Sequence, residues 1–351
     1  MTMNSTTTVG CDLGDRYSHL CVLKPDSGAA ETHRISTTRA GFAKFFGERP
    51  KCKVVIEVGA HSRWVSELLV ELKHQVVVAN ARQLPLIYRG RAKDDITDAE
   101  KLARLGRFDE RLLSPIQHRS QAAQADLAVI RARDSLVRSR TALINAARGM
   151  MKSAGHRVPK CTSSAFAVRA RKVLPEMLCA ALVPLLDAIE GLNEQIKVYD
   201  KTIEQTAEVS YPETKVLRQV AGVGALTALA FILTLEDPKR FRRSRTVPAF
   251  LGLCPRRQQS GDNERQCGIS KAGDGDVRRL LVQSAQYILG PFGPDTDLRS
   301  WGLRLADRGG KNAKKRAVVA VARKLAVLLH RLWKTGDCYE PLRQTQSKAA
   351  A

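Results

Sequence analysis

The stretch KDDITDAEKLARL, Lys93 to Leu105, is the densest acidic patch in a chain whose formal net charge is +23. Asp95 and Asp98 stand three apart, and Leu102 and Leu105 continue at helical spacing, which predicts a helix with both carboxylates on one face. Two chemistries place acids this way. Acids in a first helical turn complement the macrodipole, with Asp94 or Thr97 as the capping residue. Alternatively, Mg²⁺ is held by one or two carboxylates together with phosphate oxygens. The second reading requires further acids from elements upstream.

The upstream sequence supplies them. Residues 8–24, TVGCDLGDRYSHLCVLK, read as a strand, a tight turn at Gly14 and a second antiparallel strand. Asp12 then sits on the first strand, either facing a cleft or serving the turn. A third strand is predicted near Thr32 to Ser36, followed by a short helix at GFAKFFGE. KCKVVIEVGAHSRWVSELLVELK predicts a buried strand from Lys53 to Val58, a break at Gly59 and a helix with Trp64, Leu68, Leu69 and Leu72 on one side. Glu57 lies near the end of that apolar strand, where a charged residue needs a partner. QVVVANA predicts a further parallel strand, and the Arg-rich loop RGRAK leads into the opening helix. Open α/β sheets place their sites at strand ends. Asp12, Glu57, Asp95 and Asp98 therefore occur in the order expected for a ribonuclease-H-like fold with a carboxylate metal site.

Composition bounds the rest. The 351 residues suffice for two or three domains, and 44% hydrophobic content with a mean hydropathy of −0.24 indicates a globular chain. The longest apolar run, Val220 to Leu235, is short and Gly-containing, so it reads as a buried helix rather than a membrane span. The start, MTMNSTTTVG, lacks signal-peptide regions. Eight cysteines without CxxC pairs suit reduced thiols in a cytosol. Charge rises along the chain: +3 for residues 1–110, +5 for 111–213 and +15 for 214–351. The last portion is thus expected to meet a polyanion.

From Gln121 to Lys152 the pattern is a long helix, with Val129, Leu136 and Leu143 in one column and Ile130, Val137 and Ile144 in the next. The basic linker KCTSSAFAVRARKVLP separates it from a helix carrying Leu182, Leu185, Ile189, Leu192, Ile196, Tyr199 and Ile203. That heptad seam predicts an antiparallel coiled coil, within one chain or between chains. VLRQVAGVGALTALAFILTL follows, in which Gly222-Val223-Gly224 is either a plain turn or a main-chain approach to a nucleic-acid backbone. PKRFRRSR, with Arg242, Arg243 and Arg245, is either a solvated surface run or a phosphate contact, and the +15 charge of this portion favours phosphate.

In AFLGLCPRRQQSGDNERQCGISKAGDGDVRRLL, Ser260-Gly261 lies in a polar, turn-prone loop. Arg256, Arg257, Arg265, Lys271 and Arg278 surround it in sequence. A hydroxyl there could attack a phosphodiester while cations stabilise the developing charge, although Ser-Gly is also a common turn pair. A helix from Asp276 to Tyr287 and a final helix, KKRAVVAVARKLAVLLHRLWK, complete the chain. The final helix is expected to bury Val318, Val321, Leu325 and Leu328 and to leave its basic residues outward.

Taken together, GCDLGD, IEVGAHS, KDDITDAEKLA, GVGALTA, GLCPRRQQSG with ISKAGDGDVRRLL, and AVVAVARKLA resemble the DEDD transposases of the insertion-sequence-110 family, including its 1111 subgroup. The resemblance spans nearly the whole chain in motif order. It implies an α/β RuvC-like metal-binding domain at 8–118, coiled-coil helices and linker at 119–212, and a mainly helical transposase domain with a serine motif at 213–340. It further implies an acid tetrad of Asp12, Glu57, Asp95 and Asp98 for Mg²⁺ or Mn²⁺, and Ser260 as nucleophile. The Asp94-Asp95 doublet leaves two positions for the third acid, and Cys11 stands where the family more usually has a β-branched residue. The implied activity is site-specific DNA recombination on donor and target DNA, guided by a structured RNA from the element's own ends. The implied setting is a dimer or tetramer at the nucleoid of a bacterial or archaeal cytoplasm, with no membrane. A hydrolytic junction nuclease and a non-catalytic nucleic-acid scaffold are the alternatives. An actin-like sugar kinase, suggested by GCDLG, is disfavoured by the charge and the absence of later phosphate loops.

Overall fold

The computed structural model describes residues 6–25, 29–80, 94–260 and 263–343, with backbone alone for 257–260 and 263–266. The RGRAK loop lies outside the described residues. The chain divides into two units, Met1–His118 and Arg119–Ala351.

The first unit is built on one sheet. Strands β1 (Thr8–Leu13), β2 (Tyr17–Leu23) and β3 (Ala30–Ser36) pair antiparallel, and helix α1 (Arg39–Phe46) follows. Strand β4 (Lys53–Glu57), helix α2 (Ser62–Glu71) and strand β5 (Gln75–Ala79) extend the sheet in parallel on the other side of β1. The strand order is β3-β2-β1-β4-β5. Period-2 alternation assigns residues to its faces. Val9, Cys11, Val54 and Ile56 point to one face and bury against Phe42 and Phe46 of α1 and Val65 and Leu69 of α2. Gly10, Asp12, Val55 and Glu57 belong to the opposite face, which helix α3 (Asp95–Phe108) covers.

Small residues let α3 approach. A methyl at Gly10 would stand 2.1 Å from the Ala99 carbonyl oxygen and 2.4 Å from the Ala103 nitrogen. At Gly106 it would meet Val55 Cγ2 at 2.3 Å. Leu102 is fully buried with Val55, Val77 and Leu113, and truncating such a leucine typically costs about 2–5 kcal/mol. At the far end of the helix, Arg107 donates to the Leu23 and Lys24 carbonyls at 2.6 and 2.8 Å. The helix is thereby fixed along β1 and β2, with its first turn over the C-terminal ends of β1 and β4.

In the second unit, α4 (Gln121–Ser153) and α6 (Cys179–Val209) pack antiparallel, with α5 (Phe166–Arg171) between them in sequence. Ile144 and Ala147 meet Leu182 and Leu186 at one end, while Leu127 and Ile130 join Ile203 and Ala207 in the core at the other. The observed seam differs from the expected one. Leu186 and Asn193 are buried, whereas Leu185, Leu192 and Tyr199 are half-buried. Polar partners explain the offset: Asn193 accepts from Arg140 at 2.8 Å and donates to the Ser164 carbonyl at 3.2 Å.

Helix α7 (Thr214–Arg218) leads to α8 (Ala225–Leu235), which is buried almost throughout and forms the centre of this core. Gly222 takes φ +81°, and a side chain there would press on Tyr287 at 2.9 Å. The GVG segment is thus a packed turn into a buried helix. Helix α9 (Val247–Phe250) precedes a hairpin of β6 (Pro255–Ser260) and β7 (Asn263–Ile269), and helices α10 (Gly275–Leu289), α11 (Asp297–Ala306) and α12 (Ala313–Thr335) complete the unit. Val321 and Leu325 of α12 are buried as expected, while Val318 and Leu328 are half-buried. Around the polar, turn-prone stretch expected at Ser260-Gly261, the flanking residues form two paired strands, with Ser260 ending β6 and Asn263 opening β7. No helix among the described residues is long and apolar enough to cross a membrane. All eight cysteines are free thiols, with Cys11, Cys21 and Cys52 buried.

Candidate active site

Four carboxylates converge on the α3-covered face of the first sheet. Asp12 lies on β1, one residue beyond the Cys11–Ile56 register pair, and Glu57 is the last residue of β4. The two are therefore lateral neighbours on one face. Asp95 opens α3, and Asp98 follows one turn later, buried. Burial pushes the Asp12 carboxyl up to about 6, reinforced by the charges of Asp95, Glu57 and Asp98 and opposed by His19. Each acid of the tetrad is thus near enough to act on Asp12 through charge.

Asp94 has a different task. As N-cap of α3 it accepts from the Ile96 N–H at 3.4 Å and from the Thr97 hydroxyl at 3.2 Å. The capping reading of the KDDITD segment holds for Asp94, while Asp95 and Asp98 act by charge on Asp12. The doublet divides its work between adjacent residues.

Basic side chains flank the acids. Lys101 Nζ lies 2.9 Å from Asp98 Oδ1, and His19 Nδ1 lies 3.5 Å from Asp95 Oδ2. His19 is the β2 residue paired with Asp12. At the rim, His61 Nε2 stands 3.7 Å from Asp15 and its Nδ1 accepts from Trp64. Ser62 closes the GAHS turn by donating to the Gly59 carbonyl at 2.8 Å. Sequence reasoning missed His19 and Lys101. Counting back across the Gly14 hairpin would have found the first, and the i,i+3 spacing from Asp98 the second.

Hard oxygen donors suit Mg²⁺ or Mn²⁺ over softer metals. The burial of Asp12 among three further carboxylates, which together raise its carboxyl, fits a cation between these acids. Among the described residues, no three His, Cys, Asp or Glu side chains stand in an arrangement that would cage an ion. Mg²⁺ sites commonly leave several positions to water and substrate phosphate, so an all-protein cage is not required.

The second expected site lies on the other unit. Ser260 ends β6 and pairs with Asn263 across the hairpin, and its side chain lies outside the described ones, as do those of Arg257 and Arg265. Arg242, Arg243, Arg245, Arg256 and Lys271 are exposed. Arg278 is placed differently: its Nη1 donates to the carbonyls of Leu251 and Ala272 at 2.9 and 3.1 Å. It ties the loop before β6 to the loop after β7. Gly252 makes that approach possible, with φ +70° and no room for a side chain against the Ala272 carbonyl, 2.0 Å from a built methyl.

Residues 9–155 match a transposase family model of the IS110 DEDD type, and residues 214–296 match the transposase IS116/IS110/IS902 family. A probable family 20 transposase of Pseudomonas aeruginosa is 31% identical over 88% of this chain and 91% of its own length. The chain belongs to the IS110 family of transposases. The IS1111A insertion-element transposase of Coxiella burnetii is 27% identical over 96% of this transposase and 92% of its own length. A pilin gene-inverting protein of Moraxella lacunata is 27% identical over 40% of this chain and 42% of its own. The transposase is accordingly a DNA transposase or recombinase. The first matched segment contains all four acids, and the second contains the β6–β7 hairpin with Ser260.

Proposed function

We propose that this transposase is a site-specific DNA recombinase of an insertion sequence, with a RuvC-like N-terminal domain and a serine nucleophile. The observation that carries the reading is the convergence of Glu57, Asp95 and Asp98 on Asp12, whose carboxyl is raised to about 6 by burial first and by these three charges second. The strand order β3-β2-β1-β4-β5 with α3 across its face supports the ribonuclease-H-like assignment.

In this reading Asp12, Glu57, Asp95 and Asp98 hold Mg²⁺ or Mn²⁺, which when bound neutralises charge developing on the scissile phosphate. Ser260 Oγ attacks the phosphorus. The Oγ–P bond forms, the bond from phosphorus to the leaving deoxyribose oxygen breaks, the serine proton passes to a solvent base, and the leaving oxygen takes up a proton. The serine phosphodiester keeps the linkage available, so a hydroxyl end of another strand reverses the step and rejoins DNA. Arg242, Arg243, Arg245, Arg256 and Lys271, with Arg257 and Arg265, contact phosphates and fix register.

Site choice is assigned to a structured RNA encoded by the element, on the strength of the family resemblance and the +15 charge of residues 214–351. The inversion activity in the name of the Moraxella relative supports conservative, site-specific exchange. The α4–α6 pair acts as a coiled coil within a dimer or tetramer, at the nucleoid of a bacterial or archaeal cytoplasm. Denaturing electrophoresis of wild type and Ser260→Ala with labelled DNA and Mg²⁺ tests the chemistry. A covalent adduct in wild type only is expected. An equal adduct in the variant excludes this serine, and free nicked ends without adduct favour the hydrolytic nuclease.

A further inference from the structure

From its N-cap Asn312 onward, α12 carries Lys315, Val319, Arg323, Val327 and Arg331, four apart, into a groove of about 1450 Å³. The stripe follows roughly 28 Å of helix at 1.5 Å per residue. Leu298 and Trp301 of α11 line the groove, as do Pro255 and Ile269 at the foot of the β6–β7 hairpin. Small-molecule pockets occupy about 300–1,000 Å³, so the groove suits an extended ligand better.

Its charge is unbalanced: cations including Arg245, Lys311, Lys315, Arg316 and Arg323 outnumber the two carboxylates that line it, Asp297 and Glu340. Lys324 lies over the Trp301 ring at 3.9 Å. Like charges this close oppose folding unless a polyanion offsets them. Along α12 the cation rows Lys315/Arg316 and Arg323/Lys324 alternate with the apolar rows Val319/Ala320 and Val327/Leu328. Phosphates meet the first kind of row and base faces the second. A duplex keeps its base faces stacked inside and offers nothing to the apolar rows. Nor does α12 project as a helix entering a major groove would, because α11 packs beside it.

We propose that the groove between α11, α12 and the foot of the β6–β7 hairpin seats one unpaired DNA strand, held apart from its complement near the serine hairpin. This rests on the reading of the chain as a DNA recombinase, and it adds a strand-holding site that is distinct from the acid tetrad and shares Arg245 with the cations proposed for phosphate contact.

Fluorescence anisotropy of the full chain, in chelator, tests it with labelled oligonucleotides of about 16 nucleotides. The probes are single-stranded DNA, the corresponding duplex, and single-stranded RNA of the same sequence. The variants are Arg316→Gln/Arg323→Gln and, on the neighbouring rim, Lys311→Gln/Lys315→Gln, all at exposed positions. Each pair is expected to weaken single-stranded DNA about tenfold or more and to lower the salt slope by about 1.4, or 0.7 per phosphate contact. Duplex affinity should stay within about threefold, with unchanged melting temperature as the check on folding. An equal loss on duplex overturns the proposal, as does an unchanged single-strand affinity or a roughly tenfold preference for RNA. Because no metal is present, failure of the serine or metal chemistry leaves these affinities untouched, and the two readings fail separately.

Discussion

His19 stands directly across the β1–β2 ladder from Asp12, at the edge of the acid cluster. It is a histidine charge that lowers a carboxyl which burial and three other acids raise. Replacing it with glutamine removes the charge that opposes this rise and should move the Asp12 titration above about 6. Carboxyl-carbon NMR titration of Asp12 in His19→Gln checks the direction. A lower midpoint would contradict it.

Asp12 should also cost the metal-free protein stability. Its folded carboxyl titrates at about 6 against an ordinary 3.8, so the folded state binds the proton more tightly. The associated stability is present below about 3.8 and is lost as pH rises through about 6. Asp12→Asn is therefore expected to stabilise the metal-free chain at pH near 7.5 by about 1–2 kcal/mol, after allowance for solvent screening of a partly exposed group. Near pH 4 the gain should largely vanish. Thermal melts in chelator at the two pH values measure it, and the same variant should lose metal-dependent DNA chemistry.

Gly10→Ala tests how the helix places Asp95 and Asp98. The added methyl would overlap the α3 backbone at Ala99 and Ala103, and such overpacking costs about 1–3 kcal/mol. A lowered urea midpoint together with weakened Mn²⁺ binding is expected. Unchanged binding would mean that the seat of α3 does not set the carboxylate positions.

Much of this was legible in sequence because the relevant signals are local. VVIE and QVVVA are apolar runs that read as buried strands, and the Asp94 to Asp98 segment announces a helix start. The close fit of α3 was not legible, since Gly10, Ala99, Ala103 and Gly106 carry no hydrophobic period and act only when two elements meet. The β6–β7 hairpin was missed for a related reason: RRQQS and NERQC are polar on both faces and show no alternation. Asn193 entered the α4–α6 seam through hydrogen bonds to Arg140 and Ser164, which a heptad count of leucines does not register.

Arg278 joins the two loops at the foot of that hairpin. Arg278→Ala leaves the Leu251 and Ala272 carbonyls without this donor, at a cost of about 1–3 kcal/mol. Adduct formation is expected to fall with the melting temperature, and Mn²⁺ affinity at the acids should not change. A variant with full adduct yield would remove Arg278 from any role in positioning Ser260.

The convergence of the four acids is tested most directly by a Mn²⁺ titration of the full chain at neutral pH, followed by electron paramagnetic resonance. Saturable binding is expected in wild type and in Ser260→Ala, with loss in both Asp12→Asn and Asp98→Asn. Undiminished binding in the two aspartate variants would contradict a metal site built by these carboxylates.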